Sequence, residues 1–301
     1  MEPERVEDVV AGLAAHDYLA DDDLATAVFL ALRMRRPLLL EGDAGVGKTE
    51  VARTLASWRG AELIRLQCHE GLDLAQAAYD WDHARQLLGL RAAEATGEAA
   101  GLPSAELRDR LYSAEFLVRR PLLRAVDHDG PVAPVLLVDE VDRADDEFEA
   151  FLLEVLSDYA ITVPELGTFA ATDPPVVVLT SNRTRDLHDA LKRRCLYHWV
   201  EHPDLEREVA IIRLRVPTAS ARVAEEVAAI AAALRGADLY KPPGVSETVD
   251  WAYALTVLGA DAVDPTSAAA TLGAVLKYRE DAQRVREHGL DALIDAALGG
   301  A

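Results

Sequence analysis

Hydrophobic positions along the chain fall into two regimes that meet near Pro203. Before it they gather in short runs: "PLLLEG" (37–42), "ELIRLQ" (62–67), "PVLLVDE" (134–140), "PVVVLTSN" (175–182) and "CLYHWVEH" (195–202). Short apolar runs bounded by Gly, Pro or Asn predict strands. The helical patterns between them predict a five-stranded parallel sheet sandwiched by helices. After Pro203 the period changes. Leu205, Val209, Ile212 and Val216 recur at helical spacing, as do Val223, Val227, Ile230 and Leu234, and no strand-like run follows. An α/β core over 1–203 and a smaller all-α domain over 204–301 are therefore expected, in line with a length above the usual single-domain size.

Between Leu66 and Pro134 lies a stretch too long for one crossover, and it contains the low-complexity piece "RAAEATGEAAGLPSAEL". It reads as one helix of the sheet plus an inserted helical segment, around 68–120, with a flexible tip.

The 52 acidic and 31 basic residues give a formal net charge of -21. Such a field repels phosphate backbones, so binding of nucleic acid or an anionic membrane over a broad surface is disfavoured. "EEVAAIAAALRGADLYKPPG" adds no basic–aromatic interleaving that would argue otherwise. Cys68 and Cys195 lack metal-ligand spacing or a disulfide framework and are expected as buried free thiols. The acidic start "MEPERVEDVV" lacks a cationic segment followed by an apolar one, and no apolar stretch matches a bilayer, so no integral membrane segment and a cytoplasmic location are expected.

Against this acidic background one segment carries phosphate chemistry. "GDAGVGKT" fits G-x-x-x-x-G-K-[ST] between an apolar strand and a helix, the context a P-loop requires. Gly42, Asp43, Ala44, Gly45, Val46 and Gly47 would surround the phosphates of ATP, with Glu50 in the first helical turn. Lys48 would reach the outer phosphates and Thr49 would supply a hydroxyl to Mg²⁺. The strand "VLLVDE" ends in Asp139, a second ligand for Mg²⁺ through water, and in Glu140, placed to polarise an attacking water. Asp142, Asp145 and Asp146 are expected to be surface or helix-start charges.

"LTSN" puts Asn182 at the carboxyl edge of the sheet, where its amide could orient that water; the alternative is an ordinary turn asparagine. In "LKRRCLYHWV" Lys192, Arg193 and Arg194 gather directly before a strand. Either they form a solvated basic helix end, or Arg193 and Arg194 serve the γ-phosphate of a neighbouring subunit.

In this order the elements resemble an AAA+ ATPase, and "GDAGVGKTEVA", "LLVDEVDRAD", "FLLEVLSDYAITVPELGTF" and "LTSNRTRDLHDALKRRC" resemble the MoxR-type branch. The resemblance implies an αβα core with a helical lid, and a ring, commonly a hexamer, with nucleotide between subunits. It aligns Gly42 to Thr49 with Walker A, Asp139 and Glu140 with Walker B, Asn182 with sensor 1, and Arg194, with Arg193 beside it, with the arginine finger. It also makes "ITVPELGTFA" the hairpin before sensor 1 and 68–120 the helix-2 insertion. One departure stands out: "GVSETV" carries Thr248 where a sensor 2 arginine is expected.

"CHEGLDLAQAAYDWDHARQLL", "HDALKRRCLYHWV" and "KPPGVSETVDWA" resemble the CoxD-type ATPases that accompany carbon monoxide dehydrogenase and assist its molybdenum–copper centre. That likeness implies a remodelling chaperone with a client metalloenzyme and an adaptor bearing a von Willebrand factor A domain. The chain has no Cys or His cluster for handling copper itself. Two other functions compete: a slowly hydrolysing nucleotide-dependent switch or scaffold, which the missing arginine favours, and a small-molecule kinase, which leaves Asn182 and the C-terminal helices unexplained.

Overall fold

The computed structural model describes residues 3–97 and 103–299. Helices α1 (Val6–Ala14) and α2 (Asp22–Met34) precede β1 (Leu38–Gly42), which runs through the P-loop into α3 (Lys48–Arg59) and then β2 (Leu63–Gln67). Next come α4 (Leu74–Ala77), β3 (Tyr79–Trp81), α5 (His83–Thr96), α6 (Ser104–Leu111), β4 (Leu117–Arg119) and α7 (Pro121–Val126). The chain continues through β5 (Val135–Asp139), α8 (Asp146–Asp158), the hairpin β6 (Ala160–Val163) and β7 (Gly167–Ala170), β8 (Val176–Ser181), α9 (Asp189–Arg194) and β9 (Leu196–Val200). Among the described residues six helices follow: α10 (Leu205–Arg215), α11 (Ala221–Arg235), α12 (Val245–Val257), α13 (Pro265–Val275), α14 (Arg279–His288) and α15 (Leu290–Leu298).

The five long strands form one parallel sheet in the order β2-β5-β8-β1-β9. Every residue of β1 and β5 is buried: the apolar runs 38–40 and 135–138, as helices on both faces require, and also Glu41, Gly42 and Asp139 at the strands' carboxyl ends. β2 differs. It lies at the sheet edge and buries Ile64 and Leu66 while exposing Arg65 and Gln67. Register pairs Gln67 with Asp139, Val138 with Leu179, and Glu41 with Ser181, so four strands end along one carboxyl edge.

The chain packs as two compact units. One takes the residues up to Val9, Asp23–Glu41 and Ala52–His198; the other takes Val10–Asp22, Gly42–Val51 and the chain from Trp199. In the first, Leu39, Leu136, Val138, Val177 and Leu179 from the sheet pack with Leu122 and Leu123 of α7, Leu152 of α8 and Leu191 of α9. In the second, Trp251 is fully buried among Ile212, Val223, Val227, Leu255 and Leu272, and its indole N–H donates to Thr271 Oγ1 at 2.8 Å. Leu205 departs from the expected core stripe, because it is the first residue of α10 and half of it faces water.

The insertion is not wholly helical. β3 and β4 pair antiparallel, Tyr79 with Arg119 and Trp81 with Leu117, and α7 is the helix that covers the sheet. Strands of three residues are too short to leave a period-2 signature. Most of the expected flexible tip, residues 98–102, lies outside the described residues. Among the described residues no helix is long and apolar enough to cross a membrane.

Both cysteines are free and buried, and burial pushes each thiol up to about 12. Since the thiolate is the reactive species, neither should react with a disulfide reagent at pH 8 in the native protein. Both should react at once in denaturant, which a thiol titration with and without guanidinium reads directly.

Candidate functional site

The carboxyl edge of the first unit gathers three of the sequence-marked residues. Asp139 closes β5 with only 3% of its surface exposed, and its carboxylate accepts from Thr180 Oγ1 at 2.6 Å and from Arg65 Nη2 at 2.5 Å. Glu140 follows with φ 54°, in the left-handed region, and its N–H donates to Thr180 Oγ1 at 2.9 Å. The turn after the strand therefore aims the Glu140 carboxylate toward the next strand end. There Asn182 Nδ2 donates to Glu140 Oε1 at 3.2 Å. Oε2 accepts from Gln67 Nε2 at 3.0 Å and pairs with Arg143 Nε at 3.2 Å. The Arg65 guanidinium also donates to Gln67 Oε1. This arrangement presents one buried carboxylate, one held by three donors, and an amide on the second, a set able to bind a hard cation and to take a proton from water.

Arg65, Gln67, Thr180 and Arg143 were not singled out in the sequence. Alternation along β2 puts Arg65 and Gln67 on one face, but only the strand order makes β5 their neighbour. Asp142 corrects an expectation. It is 2% exposed, not a surface charge, because Asn182 N, Thr184 N and Thr184 Oγ1 all donate to it. Asp145 and Asp146 stand at the helix start as expected, Asp145 capping α8 through Phe148 N at 2.9 Å.

The second unit holds the P-loop from Gly42 through Thr49 into Glu50. A Cβ on Gly42 would lie 2.4 Å from the carbonyl oxygen of Val200, so no other residue fits there. Gly45, at φ 82°, would press a Cβ to 2.9 Å from Glu247 Oε2, and Ser246 N donates to its carbonyl at 3.3 Å. Lys48 is buried and donates to the carbonyls of Gly42 and Asp43, both at 2.7 Å, which curls the loop around its ammonium. Beside the loop is a cavity of about 290 Å³ lined by Tyr18, Val46, Gly47, Ile211, Arg215 and Val249 among others. Arg215 pairs there with Glu50 at 2.8 Å.

Thr248 takes the place of the expected arginine. It is fully buried, donates to Gly244 O at 3.0 Å and accepts from Arg235 Nη2 at 3.1 Å. Arg235 is itself locked in a fork with Glu208, Nη1 to Oε2 at 2.7 Å, and donates from Nε to Pro243 O at 2.9 Å. Arg235→Ala would strand a Glu208 that is 1% exposed. Loss of one partner of a buried pair costs about 3–5 kcal/mol, so the variant should unfold at clearly lower denaturant, read by Trp fluorescence, whereas Leu205→Ala should shift little.

At the end of α9, Arg193 and Arg194 are exposed, and among the described residues neither guanidinium has a partner. The helix terminus is instead satisfied by Arg36, which donates to the carbonyls of Arg193 at 2.6 Å, Arg194 at 3.1 Å and Cys195 at 3.4 Å. Lys192 sits 4.0 Å from Asp186.

A five-stranded parallel sheet with a P-loop after β1, an acidic pair ending β5 and an asparagine after β8 defines the αβα P-loop fold. The model of the AAA domain, dynein-related subfamily, matches residues 37–195, just over half of the chain, and the chain belongs to that family. A stretch of 51 residues, 17% of the chain, is 43% identical to midasin of Giardia intestinalis, of whose length it covers 1%. The fold is similar to a point mutant of Thermotoga maritima RuvB, with TM-score 0.50 and 17% identity over 99% of this chain and 86% of that one. A Cytophaga hutchinsonii protein provisionally described as an ATPase gives TM-score 0.47 and 14% identity over 98% and 94% of the two chains.

Proposed function

We propose that the chain is an ATP-hydrolysing remodelling chaperone of the MoxR type. In this reading it works as a homo-oligomeric ring, hexameric by family habit, and reaches a client metalloenzyme through an adaptor with a von Willebrand factor A domain. The observation that carries the ATPase part is the Asn182 amide on the Glu140 carboxylate at neighbouring strand ends, beside buried Asp139. Lys48 and the loop N–H groups then hold the phosphates, Glu140 takes a proton from the attacking water, and Asn182 orients that water. Arg194, with Arg193 beside it, serves the γ-phosphate of the adjoining subunit.

In this reading Thr49 and Asp139 would hold Mg²⁺. Among the described residues no group of three or more His, Cys, Asp and Glu side chains could hold a metal alone. A cation that takes one or two carboxylates and otherwise phosphate and water oxygens fits that donor set. Bound with nucleotide, Mg²⁺ neutralises charge on the phosphates.

The CoxD-like stretches support a finer reading, maturation of a molybdenum–copper carbon monoxide dehydrogenase, in which this chain does mechanical work and the metal chemistry belongs to the client. Thr248 supports a second reading, a switch or scaffold: its buried hydroxyl is committed to Gly244 and Arg235, so it offers nothing to a γ-phosphate. Phosphate release by the purified chain with MgATP, with no small-molecule acceptor added, tests the first reading. Capture of the adaptor compared in ATP and ADP separates the two. Sustained turnover favours the motor, and near-zero turnover with nucleotide-dependent capture favours the switch.

A further inference from the structure

Asp142 is a buried carboxylate that the chemistry above does not use. A charge withdrawn from water persists only with compensation, and at Asp142 the hydrogen bonds come from one short segment. Oδ1 accepts from Asn182 N at 3.2 Å, and Oδ2 from Thr184 N at 2.8 Å and Thr184 Oγ1 at 2.7 Å. Between the two donors Arg183 takes φ 54°. A non-glycine residue stays in the left-handed region only where its surroundings over-determine it.

Two residues before Asp142 on the same turn, Glu140 accepts from the Asn182 side chain. Asn182 is thus gripped twice, its backbone by Asp142 and its amide by Glu140. The grip continues downstream, where Glu149, 1% exposed, accepts from His188 N at 2.9 Å and pairs with Arg185. Arg185 Nε in turn donates to Ala144 O at 3.1 Å.

We infer that Asp142 is a positioning residue of the hydrolytic site: it clamps the 182–184 segment so that the Asn182 amide meets the Glu140 carboxylate. This rests on the ATPase reading above. An asparagine at 142 keeps the shape but has one acceptor oxygen, so its amide N–H₂ would oppose an N–H donor and at least one clamp bond would be lost.

The experiment compares wild type, Asp142→Asn, Asn182→Ala and the double variant by MgATP turnover, nucleotide affinity and hydrogen exchange over 178–188. Misplacing a reacting group by an ångström can cost on the order of 10²-fold. Asp142→Asn is expected to lower kcat by about 10- to 100-fold with ATP affinity held, to raise exchange in the segment, and to add nothing to the loss in Asn182→Ala. Thr184→Val, which removes only the hydroxyl bond, should give a smaller loss that Asn182→Ala also absorbs; it carries the test if Asp142→Asn misfolds.

Unchanged exchange overturns the clamp whether or not the protein hydrolyses ATP. So does unchanged kcat, a parallel loss of ATP affinity, or losses that multiply in the double variant. Absence of turnover in wild type, with exchange raised in the variant, sinks the ATPase reading and leaves the clamp standing.

Discussion

Glu140→Gln is expected to bind ATP as the parent does and to lose turnover by about 10²–10⁴-fold, the usual worth of a general base. Shape is conserved, while the charge is removed and one acceptor oxygen becomes a donor. The new amide oxygen can still accept from Asn182 Nδ2, now 3.2 Å from Oε1. The new N–H₂, however, faces Gln67 Nε2 and Arg143, both donors. Gln67 cannot readily turn its amide over, because its own oxygen is engaged by Arg65. The side chain is then mispaired as well as uncharged. A fluorescent ATP analogue and a phosphate-release assay on the same preparation check both halves. Undiminished hydrolysis would remove Glu140 from its assigned role; lost binding would mean that its charge supports the loop rather than the reaction.

Arg194→Ala carries the other large effect. An arginine supplied to a γ-phosphate contributes about 10³–10⁵ in rate where it has been measured in P-loop systems. The local competitor for such a cation is its own helix end, whose carbonyls attract positive charge. Here Arg36 already takes the carbonyls of Arg193, Arg194 and Cys195, which leaves the two exposed guanidiniums uncommitted among the described residues. Wild-type turnover per subunit should therefore rise with protein concentration as shared sites form, and it should collapse in Arg194→Ala at every concentration. Mixing the variant with Glu140→Gln tests the sharing directly, since each protein lacks a different half of the site. Turnover that is flat with concentration and equal in both proteins would mean a self-contained site, and the switch reading would lead.

Much of this was legible along the chain because its causes are local. A P-loop is eight consecutive residues whose backbone does the binding, and the left-handed backbone at Gly45 and Gly47 is a need of the loop itself. The strands β1, β5 and β8 announced themselves because burial on both faces demands an apolar run, here 38–40, 135–138 and 177–179. The change of period at Pro203 marked where the last helices begin, but the compact units are discontinuous in the chain, since Val10–Asp22 and Gly42–Val51 pack with the part from Trp199.

Tertiary structure decided what depends on neighbours distant in sequence. Strand order put β2 beside β5, and only that brings Arg65 to Asp139 and Gln67 to Glu140, across sequence gaps of 74 and 73 residues. Asp142 looked like a solvated charge because an acid one turn past a strand end normally is one; three donors from a segment 40 residues away bury it instead. The missing arginine at Thr248 was visible in the sequence, but the fate of Arg235, locked on Glu208 in the same unit, was not. The physical reason is common to all three. Periodicity and motif record what a residue needs from its own segment, whereas a buried charge is compensated by whatever group the packed chain brings to it, and no local pattern encodes which.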